Sequence, residues 1–418
     1  MAEVQPVELK GEASFLMGDV IRQTADNYPD PRFRPRIIKE TKHYTLAAID
    51  PKPYFFWPTA DGIGTKPELA ERLFTVDGDP KNFETLFFDA AAMVEEDEYR
   101  FGRFPVGIAE VIDMNSSDPE VVSALAQGAK RACDQMRIAL LNGETAELGY
   151  RTSGYGDVRV NWNAVAISIV NPDKLMLGND LEPGQPVIAF RETSIRSNGL
   201  TRGRAILELA YLLRQTPYKS KTEYVGDYLR QRGMKGSDED IIHQLRPLMG
   251  HDVFEQILLP WHTINPELTR QLLAPSTLYG PIMYDAQGGV DGEKQVQMIA
   301  AAHVSGGGVP EKGKRMVEDQ GLGLSIDAVF PEPEPVKGLL ELNEEIKSAG
   351  IKGPIENDRA ASGQWNRGIG FMVVVPDERE AKKLIEIARN HNVEAAVAGK
   401  VIDKPEIQFR GETWRHAE

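Results

Sequence analysis

Along the chain, short unbroken apolar runs alternate with longer stretches in which apolar positions return every three or four residues. The runs "YTLAAI", "RIALLN", "VRVNWNAVAISIV", "PVIAF", "GFMVVVP" and "VEAAVAGKVI" predict strands. The helical period appears in "PKNFETLFFDAAAMVEEDEYR", "DPEVVSALAQGAKRACDQMR", "KGLLELNEEIKSAG" and "DEREAKKLIEIARNHN". Strands and helices interleave, which predicts a mixed α/β (α+β) fold. The turn-rich segment 171–186, "NPDKLMLGNDLEPGQP", separates two such series. The expected division is an arm at 1–44, domains at 45–172 and 173–410, and a tail at 411–418. Residues 213–265 are charged and helical without a strand signal, and read as an elaboration of the second domain.

One strand ends in an unusual way. In "FFWPTADGIGTKPELA", residues 55–70, aromatic strand formers stop at Asp61, and Gly62, Gly64, Thr65 and Lys66 follow. A carboxylate, a stripped backbone and a cation suit a metal–phosphate ligand, although a tight turn uses the same letters. Phe83, Phe87, Ala90 and Val94 mark the inward stripe of the next helix, and continuing the stripe reaches Asp97. A carboxylate there needs a divalent cation or an arginine such as Arg100 or Arg103, unless the helix ends by Glu95 and "EEDE" is solvated. In "IALLNGETAEL" a buried run again reaches glycine and then Glu144 and Glu147, placed either for Mg²⁺ or at the positive end of a helix. "AAHVSGGGVPEKGKRM" offers His303, Gly306, Gly307 and Gly308 followed by Lys312, Lys314 and Arg315. Gly308 to Lys314 spells the opening of a P-loop, but Arg315 stands where Ser or Thr should hold Mg²⁺, and Pro310 removes an amide. A P-loop nucleotide hydrolase is excluded. Asn198 and Asn366 each sit in a glycine turn beside a strand, a pairing that turns use routinely.

Totals narrow the field. The 418 residues exceed one ordinary core, and 41% hydrophobic with 27% charged is globular composition. No apolar run is long enough to span a bilayer, and "MAEVQPVELKGEA" lacks the features of a secretory signal, so a cytoplasmic location is expected. A net charge of −15 argues against a nucleic-acid surface but not against small phosphorylated ligands. The single cysteine, Cys133, shares a helical stripe with Val122, Leu125, Ala129 and Met136, which marks it as core.

Taken in order, "DGIGTK", the aspartate of "EED", "NGETAEL", "RSNGL", "LLAPSTLYG", "AAHVSGGG" and "WNRGIGFMVVV" resemble the motif series of the aminoimidazole ribonucleotide synthetases, or phosphoribosylformylglycinamidine cyclo-ligases. The resemblance runs from about residue 45 to 402. It implies an N-terminal four-stranded sheet that pairs with its twin in a homodimeric β-barrel and binds ATP, and a layered C-terminal α/β domain. It also implies ATP- and Mg²⁺-dependent ring closure of formylglycinamidine ribonucleotide in purine biosynthesis. By position, Asp61, Asp97 and Glu144 would hold Mg²⁺, and Gly62, Gly64, Thr65, Lys66, Gly306, Gly307, Gly308 and Asn366 would meet the nucleotide. Arg196, Ser197 and Asn198 would hold the substrate, and His303, Lys66 and Asp97 would be catalytic. Two positions depart from the family: Arg196 where many members have histidine, and Glu96 where asparagine is usual. An arm without the usual glycine loop carries Arg32, Arg34 and Arg36, either in place of its phosphate contacts or as exposed charges. These departures leave open a kinase or synthetase of another small metabolite, or a relative that binds nucleotide without turnover.

Overall fold

The computed structural model describes residues 55–215 and 260–416 throughout, with shorter pieces inside 19–48 and 221–243. Two short strands, β1 (Arg36–Glu40) and β2 (Thr45–Ala48), pair with each other. Four more make one sheet: β3 (Phe55–Gly62), β4 (Phe104–Met114), β5 (Ala139–Glu147) and β6 (Val160–Val170), in the order β3-β6-β4-β5. Only β4 and β5 run parallel. The second sheet has seven strands: β7 (Pro186–Arg191), β8 (Ala300–His303), β9 (Gly323–Ile326), β10 (Ile369–Val374), β11 (Ala395–Ile402), β12 (Glu406–Phe409) and β13 (Glu412–Arg415). Its order is β13-β12-β9-β11-β7-β10-β8, which leaves β8 at an edge.

Helices α1 (Pro67–Asp77), α2 (Leu86–Tyr99) and α3 (Pro119–Met136) belong to the first sheet's part of the chain. Helices α4 (Leu200–Gln215), α5 (Lys221–Arg230), α6 (Pro266–Leu273), α7 (Gly280–Gln287) and α8 (Gly308–Val317) follow, then α9 (Glu334–Ser348), α10 (Asp358–Ser362) and α11 (Glu378–Asn390). Asp118 caps α3 by accepting from the Glu120 and Val121 amides, and Asp377 caps α11 in the same way. Cys133 is fully buried in the core, and burial pushes its thiol pKa up.

The alternation along the first sheet assigns its faces. Trp162, Ile108 and Ile112 are fully buried on the helix-covered face, against residues such as Phe87. The opposite face carries Pro58, Ala60, Ala109, Val111, Val165 and Ile167, and Val111 is 42% exposed. One apolar cluster continues from this sheet through α2 and α7 to Phe190 and Phe371 of the second sheet. Tyr279 packs on both of those rings.

Several expected features change. β4 is absent from the predicted strands because Pro105, Gly107, Glu110 and Asp113 interrupt its apolar pattern. It nonetheless lies between β6 and β5, and its Glu110 accepts from Trp162 Nε1 at 2.9 Å. Residues 412–415, expected in a tail, form the last strand. Residues 139–147 are strand throughout, so Glu144 stands at no helix start. The elaboration holds part of α4 and all of α5, and 244–259 lie outside the described residues. In the arm, Arg32 pairs with Asp30 and Asp291, and Arg34 donates to the Tyr28 carbonyl. Those contacts favour ordered surface charges over phosphate ligands. The side chain of Arg36 lies outside the described residues.

Candidate active site

Four segments meet between the sheets: the end of β3 with its turn, the second half of α2, the loop 192–199, and the turn from β8 into α8. Helix α2 runs to Tyr99, so the "EEDE" run is helical and not solvated. Glu95, Glu96 and Glu98 are fully buried, and Asp97 is the open member, its side chain 30% exposed. Asp97 therefore lies on the expected helix but is partly open, where its apolar stripe implied burial.

Asp61 is the next-to-last residue of β3, and its Oδ1 accepts from the Gly62 amide at 2.7 Å. Burial raises its pKa and Asp97 repels it further, while the Gly62 amide and Lys312 work against both. For Asp97, burial also opposes ionisation, but His303, Arg100 and Lys312 outweigh it and hold the carboxyl at about 2. The structure thus places Asp61, Asp97 and Lys312 within electrostatic reach of one another. Glu144 is not with them. It pairs across β5, β4 and β6 with Gly62, three strand spacings or about 14 Å away. It also lies on the sheet face opposite Asp61. Among the described residues, no three His, Cys, Asp or Glu side chains are arranged to hold a metal.

His303 closes the inner wall, 1% exposed at the end of β8. Burial lowers its pKa to about 4, so the ring is neutral near pH 7. Its Nε2 lies 3.1 Å from an Arg196 nitrogen, and a guanidinium can only donate. Nε2 is therefore the acceptor and the proton sits on Nδ1, which faces Asp97 Oδ1 at 3.5 Å.

Beneath this rim lies a buried ionic layer. Arg196, 1% exposed with a left-handed φ of 65°, gives one nitrogen to Glu96 at 2.7 Å and another to Glu192 at 2.8 Å. Glu192 also accepts from the Thr193, Ser194 and Thr277 amides and from the Ser194 and Thr277 hydroxyls. Burial works against the Arg196 cation, but Glu96 and Glu192 raise its pKa on balance. Burial works against the Glu96 anion, and the Arg196 guanidinium 2.7 Å away opposes that shift. The two departures from the family pattern, Glu96 and Arg196, are thus partners in one ion pair.

Lys66 belongs to a second buried cluster. Fully buried, its Nζ donates to Asp89 Oδ2 at 2.7 Å and to the Ala274 carbonyl at 2.6 Å. Asp89 also accepts from Ser276 and Ser197. Neither Lys66 nor Arg196 presents its charge to the opening, because each is drawn inward by a buried carboxylate. Asn366, 3% exposed, donates to the Ser194 carbonyl and holds the loop from below, away from the opening.

Gly64 (φ +59°) and Thr65 are exposed, and a Cβ on Gly64 would stand 3.7 Å from the Ser197 carbonyl, but both line a separate pocket beside Glu68, Asp113, Arg151 and Arg204. Asn198 touches Met93 and lies beside Gly306, which is exposed. Gly308 serves packing instead, since a Cβ there would fall 2.1 Å from the Ser362 carbonyl. Gly307 has a left-handed φ of 88° at the head of α8, and Gly62 packs beside Asn163. Asp89 and Glu192 are absent from the expected set. Their signal was a lone carboxylate, in an apolar helix for Asp89 and just after a buried strand for Glu192.

A two-sheet α/β protein with paired aspartates facing a glycine turn is the class these features define. The chain belongs to the AIR synthase related protein family: residues 49–168 match its N-terminal domain and 281–412 its C-terminal domain. It is similar to the phosphoribosylformylglycinamidine cyclo-ligase of Methanococcus maripaludis strain C5, 26% identical over 90% of this chain and 85% of that one. The enzyme of the same name from Staphylococcus carnosus is 26% identical over 82% and 79%. Among solved structures, thiamine-monophosphate kinase from Stenotrophomonas maltophilia overlays with a TM-score of 0.48 at 13% identity, covering 95% of this chain and 96% of that one. No described helix is long and apolar enough to cross a membrane.

Proposed function

We propose that the chain is an ATP- and Mg²⁺-dependent enzyme that closes the ring of formylglycinamidine ribonucleotide, giving aminoimidazole ribonucleotide, ADP and phosphate. The observation that carries this reading is the pair Asp61 and Asp97, close enough for Asp97 to raise the Asp61 pKa, with His303 beside Asp97 and Lys312 acting on both. Mg²⁺ is commonly bound by one or two carboxylates together with substrate phosphates, and Asp61 and Asp97 fit that donor set. The ion would neutralise charge on the transferred phosphoryl group. Asp97 is ionised at any working pH, and neutral His303 turns its Nδ1 proton toward the rim, placed to donate rather than to accept. The exposed Gly306 backbone leaves room for a phosphate's close approach. Glu144 joins the metal set only if a second copy covers the open sheet face, whose small apolar residues suit a homodimer.

The test is a coupled assay for ADP with and without formylglycinamidine ribonucleotide. ADP release that depends on this compound, with an aminoimidazole product, supports the reading. Release indifferent to it points to another acceptor, and nucleotide binding without release to a non-catalytic relative. Asp97→Asn should lower turnover at least about 100-fold while leaving thermal unfolding close to wild type, since the side chain is partly exposed. Full activity in that variant removes Asp97 from the metal set.

A further inference from the structure

Behind His303, away from the glycine turn, lies a cavity of about 290 Å³. Edge strand β8, the end of α2, the linker at Met176 and Leu177, and helix α8 enclose it. Arg100, Lys312 and Arg315 all line it, in a chain of net charge −15, and among the described lining residues Asp319 is the only carboxylate. Arg100 reaches Asp97 at 3.0 Å and Arg315 reaches Glu311 at 2.9 Å. Lys312 is half-buried between them. Burial lowers its pKa, Asp97 counteracts this, and Arg315 and Arg100 lower it further. Like charges gathered around one cavity repel, and the arrangement becomes favourable when an anion enters. The other wall is apolar, formed by Phe101, Met176 and Leu177, and Leu177 is 59% exposed. An inorganic anion gains nothing from that wall, whereas an organic phosphate does.

We infer that this cavity binds the phosphate group of a small phosphate monoester, with Lys312 as its principal ligand, Arg100 and Arg315 as flanking cations, and Leu177 against the ester's carbon skeleton. The site stands on its own cavity and charges. Which ester fills it rests on the phosphoryl-transfer reading, because His303 lines the cavity and faces Asp97. An acceptor's phosphate and the nucleotide's own phosphates share this chemistry.

Calorimetric titration of the full chain with ribose 5-phosphate and with inorganic phosphate, at fixed ionic strength, tests the inference. Ribose 5-phosphate should bind more tightly than phosphate. Lys312→Met should weaken the ester about tenfold or more, and Arg315→Gln by a smaller factor. Leu177→Asp should abolish the preference for the ester. Repeating the titration with Mg²⁺ and a non-hydrolysable ATP analogue separates the sources: simultaneous binding assigns the pocket to an acceptor, and mutual exclusion assigns it to the nucleotide. Undiminished binding to Lys312→Met, a preference for phosphate over the ester, or binding of neither overturns the site. Failure of ADP release alongside intact ester binding would remove the phosphoryl-transfer reading and leave this one standing.

Discussion

The rim of the candidate site and the layer beneath it hold the same residue types in opposite conditions. At the rim, Asp61, Asp97 and Lys312 reach solvent and influence one another's ionisation. Beneath it, Lys66 is closed onto Asp89, and Arg196 onto Glu96 and Glu192, all with side chains fully or almost fully buried. A cation next to a glycine turn does not declare from its position which layer it occupies. A buried carboxylate elsewhere in the chain decides, since an unpaired charge inside the protein costs more than either partner gains by facing a ligand.

Removing Arg196 should break the contrast most severely, because two buried carboxylates lose one guanidinium. Arg196→Met should cost about 3–5 kcal/mol in urea unfolding. Arg196→His should fall in the same range alone, and adding Glu96→Asn should restore at least half of the loss, since the two departures compensate each other. A double variant no more stable than the single would show that the pair is not the unit. Lys66→Met should come next, at about 3 kcal/mol, because Ser197 and Ser276 remain to hydrogen-bond Asp89. If Lys66→Met unfolds like wild type and loses only nucleotide binding, Lys66 belongs to the rim after all.

What the residues disclosed in advance follows the same division. Strands with continuous apolar runs, such as β7 and β10, and helices with long periodic stripes, such as α3 and α11, were legible because burial wrote their pattern locally. β4 was not, since Glu110 interrupts a run that Trp162 completes from another strand. At the site, Asp61, Asp97, Asn198 and Gly306 were legible as a family series. The inward turn of Lys66 was not, because it depends on Asp89 and on a carbonyl 208 positions away, which no local pattern records. Lys312 was visible only as one of several basic residues, and the fold alone separates it from Lys314, whose ammonium goes to the His416 carbonyl.

Glu110 sharpens the comparison from a third side, as a buried carboxylate with no cation to meet it among the described residues. It is 3% exposed, and among the described residues its Oε1 has no hydrogen-bond partner. Burial pushes its pKa up to about 8, with Trp162 working against the shift and Glu144 adding to it. The protein therefore resolves this charge by protonation instead of pairing. Between the ordinary carboxylate value near 4.5 and about 8 the folded chain holds one proton that the unfolded chain has lost, so stability declines as pH rises through that window. Glu71, at about 8, acts in the same direction. His262 and His303, lowered to about 4, act oppositely, but only below the ordinary histidine value of 6.5. The decline should therefore be clearest from pH 6.5 to 8 in urea unfolding. Glu110→Gln keeps the neutral shape and an oxygen for Trp162, and should flatten that slope by about 1.4 kcal/mol per pH unit, the worth of one proton. An unchanged slope would mean that Glu110 is ionised in the fold, and that a partner for its charge must be sought on the helix-covered face of the sheet, beside Trp162.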